Sequence, residues 1–441
     1  MPERRYRRKE TPGVDRSRPG RWMWALLAVL LLTSVGPAHS AVFSAGPDDY
    51  QAMLTSLAAG DTLVLNAGVY RHGISLRRVH GTPNRRITIE GPKSGDTAVF
   101  LGRPGANTVS LFDTSYVTLR DLVLDGARLP VDAVKAERGT QGVHHVTLER
   151  LTIVGHNYAQ DIVGISTKCP AWGWVIRDNV IIGAGTGIYL GNSDGSAPFF
   201  DGVIEGNLIV DSIGYNLQIK HQLDRIVPTG APSAPTITRI RNNVFVKARN
   251  GATGELARPN VLVGHFPRQG QGSDDRYEIA SNVFFDNPTE ALLQGEGNLD
   301  VRGNLFYTSG SVAVAIQPHH DVPRSVNLAR NFVAAVQRGI WVTGGEPGSR
   351  QVVVGNEVYA GEPLRGGDGR DNITGGYDQA RQALGSWLRR GGLSKDWSPA
   401  ATTERLCGRV VDFARFPDDF SVDARHPACA FLLGLQVTSE R

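Results

Sequence analysis

One short pattern returns along the middle of this chain at almost even spacing. It reads "YVTLRDLVLDG", then "HVTLERLTIVG", "WGWVIRDNVIIGAG" and "FDGVIEGNLIVDSI". Aligned on Asp121, Arg150, Asn179 and Asn207, the steps are 29, 29 and 28 residues. The pattern continues with Asn243, Asn282, Asn304, Asn331 and Asn356 in the same slot, at steps of 36, 39, 22, 27 and 25. Each unit holds short runs in which Val, Ile and Leu alternate with other residues, a period of two that marks strands. Gly and Asn separate the runs and supply tight turns. A unit of this length made only of strands cannot bury its own apolar face, whereas units stacked on one another bury them all. The expected fold is therefore all-β: a single-stranded right-handed parallel β-helix in which each strand pairs with its counterpart one coil above and below. The recurrent Asn is expected to stack on itself as a structural amide ladder.

The flanks fit that scheme. "PDDYQAMLTSLAAGD" places Tyr50, Met53, Leu54 and Leu57 on one helical face, and "YDQARQALGSWLRRGG" does the same with Ala380, Leu384, Trp387 and Leu388 before Gly391-Gly392. Both read as short capping helices that protect the ends of the coil. Ahead of the coil, the basic "MPERRYRRKE" leads into the apolar "WMWALLAVLLLTSVGPAHS". The apolar core is shorter than the roughly 20 residues of a bilayer span, and Ala38-His39-Ser40 fits a cleavage site. Residues 1–40 thus read as an export signal, with an uncleaved anchor as the alternative, 41–375 as the coil and 376–441 as a C-terminal cap and tail. The protein is expected in the periplasm or outside the cell, as a monomer, with no membrane contact beyond that signal.

Charge narrows the partners. The formal charge is +4, but residues 1–40 carry eight Lys/Arg against three Asp/Glu, a local excess of +5 that leaves the rest at −1. A body so close to neutral, without a Lys/Arg stripe, does not attract nucleic acid. The three cysteines, Cys169, Cys407 and Cys429, lack metal-ligand spacing. In an exported protein Cys407 and Cys429 can pair; the other reading is unpaired thiols.

The opening coils, "GDTLVLNAGVYRHGISL", "GTPNRRITIEGPKSGDTAVFLG" and "DTSYVTLRDLVLDG", resemble those of exported β-helix polysaccharide lyases of the chondroitinase B and alginate lyase type. Segments such as "NLQIKHQ", "RPNVLVGHFP" and "AVAIQPHH" resemble a branch of right-handed β-helix repeat proteins. The resemblance spans roughly residues 42 to 375 and implies the fold and an acidic polysaccharide as partner. It does not carry catalytic residues across. The Asn-Gly-x-Glu metal motif and Lys-Ser segment of such lyases are missing here, as are the Gly-His-Gly and Arg-Ile-Lys strings of β-helix pectin hydrolases.

Candidate site residues come instead from stacking the coils, since equivalent residues on adjacent coils lie about 4.8 Å apart. Alignment of Ile165–Cys169, Ile188–Asn192, Leu217–His221, Val261–His265, Ala291–Gly295, Val314–Pro318 and Ile340–Gly344 puts Lys168, Gly191, Lys220, Gly264, Gln294, Gln317 and Thr343 in one outward column. Asn192, His221, His265, Glu296, His319 and His320 follow just beyond it. Two of the six lysines after residue 40 fall in the column, and four of the eleven histidines beside it. Long Gly/Pro/Ser-rich loops leave or precede the Lys220 and His265 coils and supply walls for a groove.

β-Elimination from a uronate chain needs a neutralised carboxylate, a base for the C5 proton and an acid for the leaving oxygen. The expected roles are Lys220 as base, His221 or His265 as acid, and Arg258 and Lys168 as carboxylate binders. Tyr189 and Trp341 are expected as ring platforms, with Asn192, Gln294, Glu296, Gln317 and His319 as further substrate contacts. No cofactor is expected; Asn192 and Glu296 have the oxygen chemistry of a Ca²⁺ site without its full pattern, and the four histidines offer nitrogen without a recognisable pairing. The leading expectation is an exported lyase on an acidic glycan. The alternatives are a non-catalytic β-helix that binds glycan or envelope material, a uronan C5-epimerase, and a glycoside hydrolase, the last disfavoured by the lack of two facing carboxyl groups.

Overall fold

The computed structural model describes residues 40–393, apart from 140, 226 and 227, together with Phe431. The export-signal reading of residues 1–39 and the Cys407–Cys429 pairing therefore lie outside the described residues, as does most of the C-terminal tail.

Three long parallel sheets of 13, 12 and 11 strands run the length of the coil, and we call them A, B and C in that order. A fourth, three-stranded sheet joins Val143–His144, Ala171–Trp172 and Phe199–Phe200. In each sheet neighbouring strands come from successive turns of the chain, which makes the fold a right-handed parallel β-helix. Among the described residues the first strand begins at Val42 and the last ends at Gly375. Among the described residues no helix is long and apolar enough to cross a membrane.

The alternating pattern builds the interior. On sheet B the inward residues Ile153, Ile181, Ile209, Phe245, Phe284, Phe306, Val333 and Val358 are fully buried in one continuous core. Phe284 stacks on Phe306 with ring centroids 4.4 Å apart and lies 5.1 Å from Phe245. At the N-terminal end, helix α1 (Tyr50–Leu54) turns Tyr50 and Leu54 into that core. Near the C-terminal end, helix α2 (Ala380–Arg389) sets Ala380, Leu384 and Trp387 against the outward apolar face of sheet B, where Trp387 meets Phe332 at 5.6 Å.

The corner between sheets A and B is a two-residue turn repeated coil after coil. Its first residue has a positive φ: Asp178 at 56°, Gly206 at 65°, Asn242 at 56°, Gly303 at 59° and Gly355 at 62°. Its second residue is the recurrent Asn. The side-chain amides of Asn179, Asn207, Asn243, Asn282, Asn304, Asn331, Asn356 and Asn372 hydrogen-bond in sequence, Nδ2 to Oδ1, at 2.9–3.0 Å. Each acceptor oxygen also receives the backbone N–H of the preceding rung, and each Nδ2 also bonds a strand carbonyl, as Asn243 does to Ile204 at 2.9 Å.

Asp121 and Arg150 do not belong to this ladder. Strand register places Leu122 and Leu151 opposite the Asn position, with Leu151 N–H donating to Asn179 Oδ1 at 2.9 Å. Asp121 and Arg150 fill the preceding positive-φ slot, at 59° and 50°. Stacked one coil apart there, they form a two-pronged ion pair at 2.7 and 2.8 Å. The ladder also extends one coil further than the repeat implied, to Asn372.

The ladder predicts a position-dependent stability cost. Asn243→Ala removes the side-chain bonds to buried Asn207 N–H and Ile204 O and one of the two acceptors of Asn207 Nδ2, and should lower stability by about 2–4 kcal/mol. Asn372→Ala, at the half-buried last rung, should cost well under half of that. Urea unfolding midpoints of the two variants test the difference.

Candidate active site

Sheet C carries the candidate residues on its outward side. Registers of Ile188 with Leu217, Leu217 with Val261 and Val314 with Ile340 agree with the coil alignment made from sequence. One coil differs. Leu293, not Ala291, pairs with Val261, and Gln294 pairs with Leu262. Gln294 therefore sits mid-strand, in the column of Tyr189, Gln218, Leu262, Ala315 and Trp341. Glu296 takes the strand-end position instead, in line with Lys168, Gly191, Lys220, Gly264, Gln317 and Thr343. The slip is two residues, which keeps every side chain on its face; the run Ala291-Leu292-Leu293 allowed both registers.

Two glycines admit the Lys220–His221 pair. Gly191 lies beneath Lys220, where an added Cβ would be 3.2 Å from the lysine Cβ, and Gly195 lies against the His221 ring, at 2.8 Å from Cδ2. Both have positive φ, 95° and 78°, so the preceding coil can turn tightly and leave room above it.

Histidines gather around His221. Its ring centroid lies 3.9 Å from that of His320 and 5.4 Å from that of His265, and His319 is 4.5 Å from His320. Buried Glu296 holds this arrangement: Oε1 accepts the backbone N–H groups of His320 and, at 3.1 Å, Asp321, which pins the 318–321 loop back over the preceding coils. Its Oε2 is buried without a hydrogen-bond partner among the described residues, as is Nδ1 of His221. His265 Nδ1 donates to Phe266 O at 2.9 Å, so its Nε2 is the nitrogen left to face the pocket. An open cavity of about 890 Å³ lies here, lined by His221, His265, His320, Gln222, Arg268 and Asp321 among others.

Burial lowers the pKa values of the basic groups here. Burial lowers the pKa of Lys220, with Glu296 opposing the shift. Burial, then His320, Lys220, His265 and His319, pushes His221 down to about 4. Burial also lowers Lys168, to about 8, with Asp132 opposing and Lys135 and Lys220 adding to the shift. Lys168 Nζ sits 3.7 Å over the Tyr189 ring, and the Trp341 ring has Arg338 at 3.8 Å and Arg365 at 4.5 Å. Each expected platform thus carries a cation over its ring.

Other candidates fall elsewhere. Arg258 lies before the strand Val261–Val263, at the opposite edge of sheet C from His265, with its guanidinium on Glu255 O and Ala257 O at 2.8 and 2.7 Å. Asn192 is engaged within its own turn, donating to Ser196 Oγ at 3.3 Å. Gln317 and exposed His319 stand beyond Glu296 along the column, and Trp341 lies four coils from Lys220. Among the described residues no group of three or more His, Cys, Asp or Glu is disposed to hold a metal ion.

The walls are locked together by residues that sequence reasoning passed over. Arg225 and Asp275, with side chains only 2% exposed, pair at 2.5 Å. Arg225 also bonds Gln222 Oε1 at 2.7 Å and lies 3.9 Å over Phe200, while Gln271 bonds Pro232 O at 2.7 Å. These contacts tie the loop after His221 to the loop after His265. Arg225 and Arg268 stand in loops that the sequence marks as long, but nothing local shows where they point.

No protein-family model matches the chain, and no curated protein matches it in sequence. In structure it is similar to an alginate lyase of the PL6 family at 14% identity and TM-score 0.47, over 76% of this chain and 51% of that one. It is likewise similar to the tailspike of an Acinetobacter baumannii bacteriophage, a capsular polysaccharide depolymerase, at 11% identity and TM-score 0.46, over 77% and 61%. A pectate lyase matches at 12% identity and TM-score 0.41, over 73% and 80%. The chain thus spans about half the length of the alginate lyase. The likeness is one of fold.

Two outcomes follow from this geometry. Arg225→Ala leaves Asp275 buried and unpaired and should cost about 3–5 kcal/mol, read as a fall in the denaturation midpoint. His144, His156 and His221 all have pKa values pressed down to about 4, burial being the main cause. Between that value and the unfolded value of about 6.5 the unfolded chain binds more protons, so stability is full above about pH 6.5 and falls as pH drops toward 4. A melting temperature unchanged between pH 7 and 4.5 contradicts this.

Proposed function

We propose that this protein is an exported lyase that cleaves an acidic, uronate-containing polysaccharide by β-elimination. The observation that carries the reading is the convergence of His221, His265 and His320 on one open cavity, with Lys220 adjoining His221 at the strand end and held at a lowered pKa. A half-buried amine with a lowered pKa is intrinsically a weaker base than an ordinary lysine, but a larger fraction of it is unprotonated at neutral pH and available to take a proton. Lys220 is assigned as the base for the C5 proton.

The acid is assigned to His221, in the complex rather than in the free protein. With a pKa near 4 the free imidazole has no proton to give at pH 7. Part of that depression comes from four basic neighbours, and a bound uronate brings the negative charge that offsets them. His265, with Nδ1 committed to a carbonyl, can accept a hydrogen bond from the sugar through Nε2. Lys168, at the same strand-end position two coils before Lys220, is assigned to a neighbouring uronate. Gln294, Gln317, His319, Asn192, Tyr189 and Trp341 flank the same face as further contacts.

A non-catalytic glycan binder is the second reading, favoured by the neutral state of His221. A lyase converts uronate polymer into a product with an unsaturated ring that absorbs in the ultraviolet, and a binder does not. Lys220→Ala should lower kcat by about 10²–10⁴ while the protein still binds polymer. The His221 pKa, followed by NMR, should rise when an uncleaved uronate oligosaccharide binds to the Lys220→Ala protein. Unchanged turnover in Lys220→Ala refutes the assignment of the base. Binding without product across uronate polymers identifies the module.

A further inference from the structure

Arg268 stands at the rim of the His221 cavity, three residues after His265. Its backbone is held from one side and its side chain is largely exposed. Arg324 Nη2 clamps the two preceding carbonyls, Phe266 O at 2.9 Å and Pro267 O at 3.0 Å, and Phe266 is fully buried. The Arg268 side chain is 58% exposed and spreads its fork over two carboxylates, Nη1 to Asp321 Oδ1 at 3.1 Å and Nη2 to Glu346 Oε1 at 2.9 Å.

We propose that Arg268 captures the uronate carboxylate in this pocket, and that Asp321 and Glu346 hold its guanidinium until the sugar arrives. The inference rests on the acidic-glycan reading above and names the cation that reading lacks, since Arg258 lies at the far edge of the sheet. A guanidinium fork recognises a carboxylate with two parallel hydrogen bonds. The Glu346 side chain is 32% exposed, so that pair contributes little to stability and its carboxylate is cheaply exchanged for another, while the Asp321 side chain, 11% exposed, holds the other arm more firmly. Asp321 stays in place during the exchange, because its backbone N–H is held by Glu296 and its own Oδ1 accepts Val322 N–H at 2.8 Å. The substrate carboxylate thus enters beside His221 and His320, where a negative charge is needed to raise the His221 pKa.

Equilibrium binding of a uronate tetrasaccharide and of its carboxyl-reduced counterpart tests the proposal without recourse to turnover. Arg268→Gln should weaken uronate binding roughly tenfold or more and leave the weaker binding of the reduced sugar unchanged. Arg268→Lys, which keeps the charge and loses the fork, should fall between. Asp321→Asn and Glu346→Gln should each tighten uronate binding by about twofold to fivefold, since each frees one arm. Uronate binding by Arg268→Gln equal to that of the unaltered protein overturns the inference and leaves the acidic-glycan reading standing. So does weakening by Arg268→Gln, Asp321→Asn and Glu346→Gln alike together with a lower melting temperature, which marks a structural bridge. An unaltered protein that binds neither sugar overturns the acidic-glycan reading and this inference with it.

Discussion

Strand pairing between coils, repeated at one spacing, is the constraint on which the rest of this structure depends. Parallel ladders put equivalent residues of successive coils side by side. Whatever the sequence places at one position therefore becomes a line running along the molecule. Apolar positions become the core, the corner Asn becomes a hydrogen-bonded ladder, and the strand-end position of sheet C becomes the row that holds Lys168, Lys220 and Glu296. The same stacking joins Asp121 to Arg150 at the corner. Neither the core nor the candidate site is a local property of any one segment.

The corner shows why a local slip leaves the fold legible. An Asn that must satisfy four hydrogen-bonding positions in a buried turn leaves a clear mark, and seven coils carry it between Asn179 and Asn356. Asp121 and Arg150 were drawn into the same slot because a polar residue between two apolar runs looks alike whether it is the first or second residue of the turn. The backbone distinguishes them: the first takes a positive φ and faces solvent, while the second is buried. Leu122 and Leu151 fill the buried place without an amide, so the pattern there carries no signal. Gln294 slipped for a related reason, since three consecutive apolar residues fit the inward face in either of two registers.

The candidate site was legible where it follows the repeat and hidden where it does not. Lys220, His221 and His265 lie on or next to the strand end, so counting coils places them together. Arg268, Asp321, Arg225 and Asp275 lie in loops whose paths are set by tertiary contacts rather than by periodicity. Arg258 misled for the same reason: it precedes its strand while His265 follows it, and proximity in sequence set them on opposite edges. Charge states were equally beyond the sequence. The neutrality of His221 comes from burial and from a ring brought in by the 318–321 loop, which buried Glu296 holds.

Gly264 carries a consequence for how such a pocket can change over time. A Cβ at that position would lie 2.3 Å from the backbone nitrogen of His221 and 2.6 Å from its Cα, contacts that no side-chain rotation relieves. The pocket floor is therefore closed to variation by point substitution at this rung. The loops after His221 and His265 are held by side-chain contacts, the Arg225–Asp275 pair among them, rather than by strand register. A lineage that inherits this scaffold can exchange its walls and keep its floor, so diversification toward new glycans should run through insertions and deletions in those two loops.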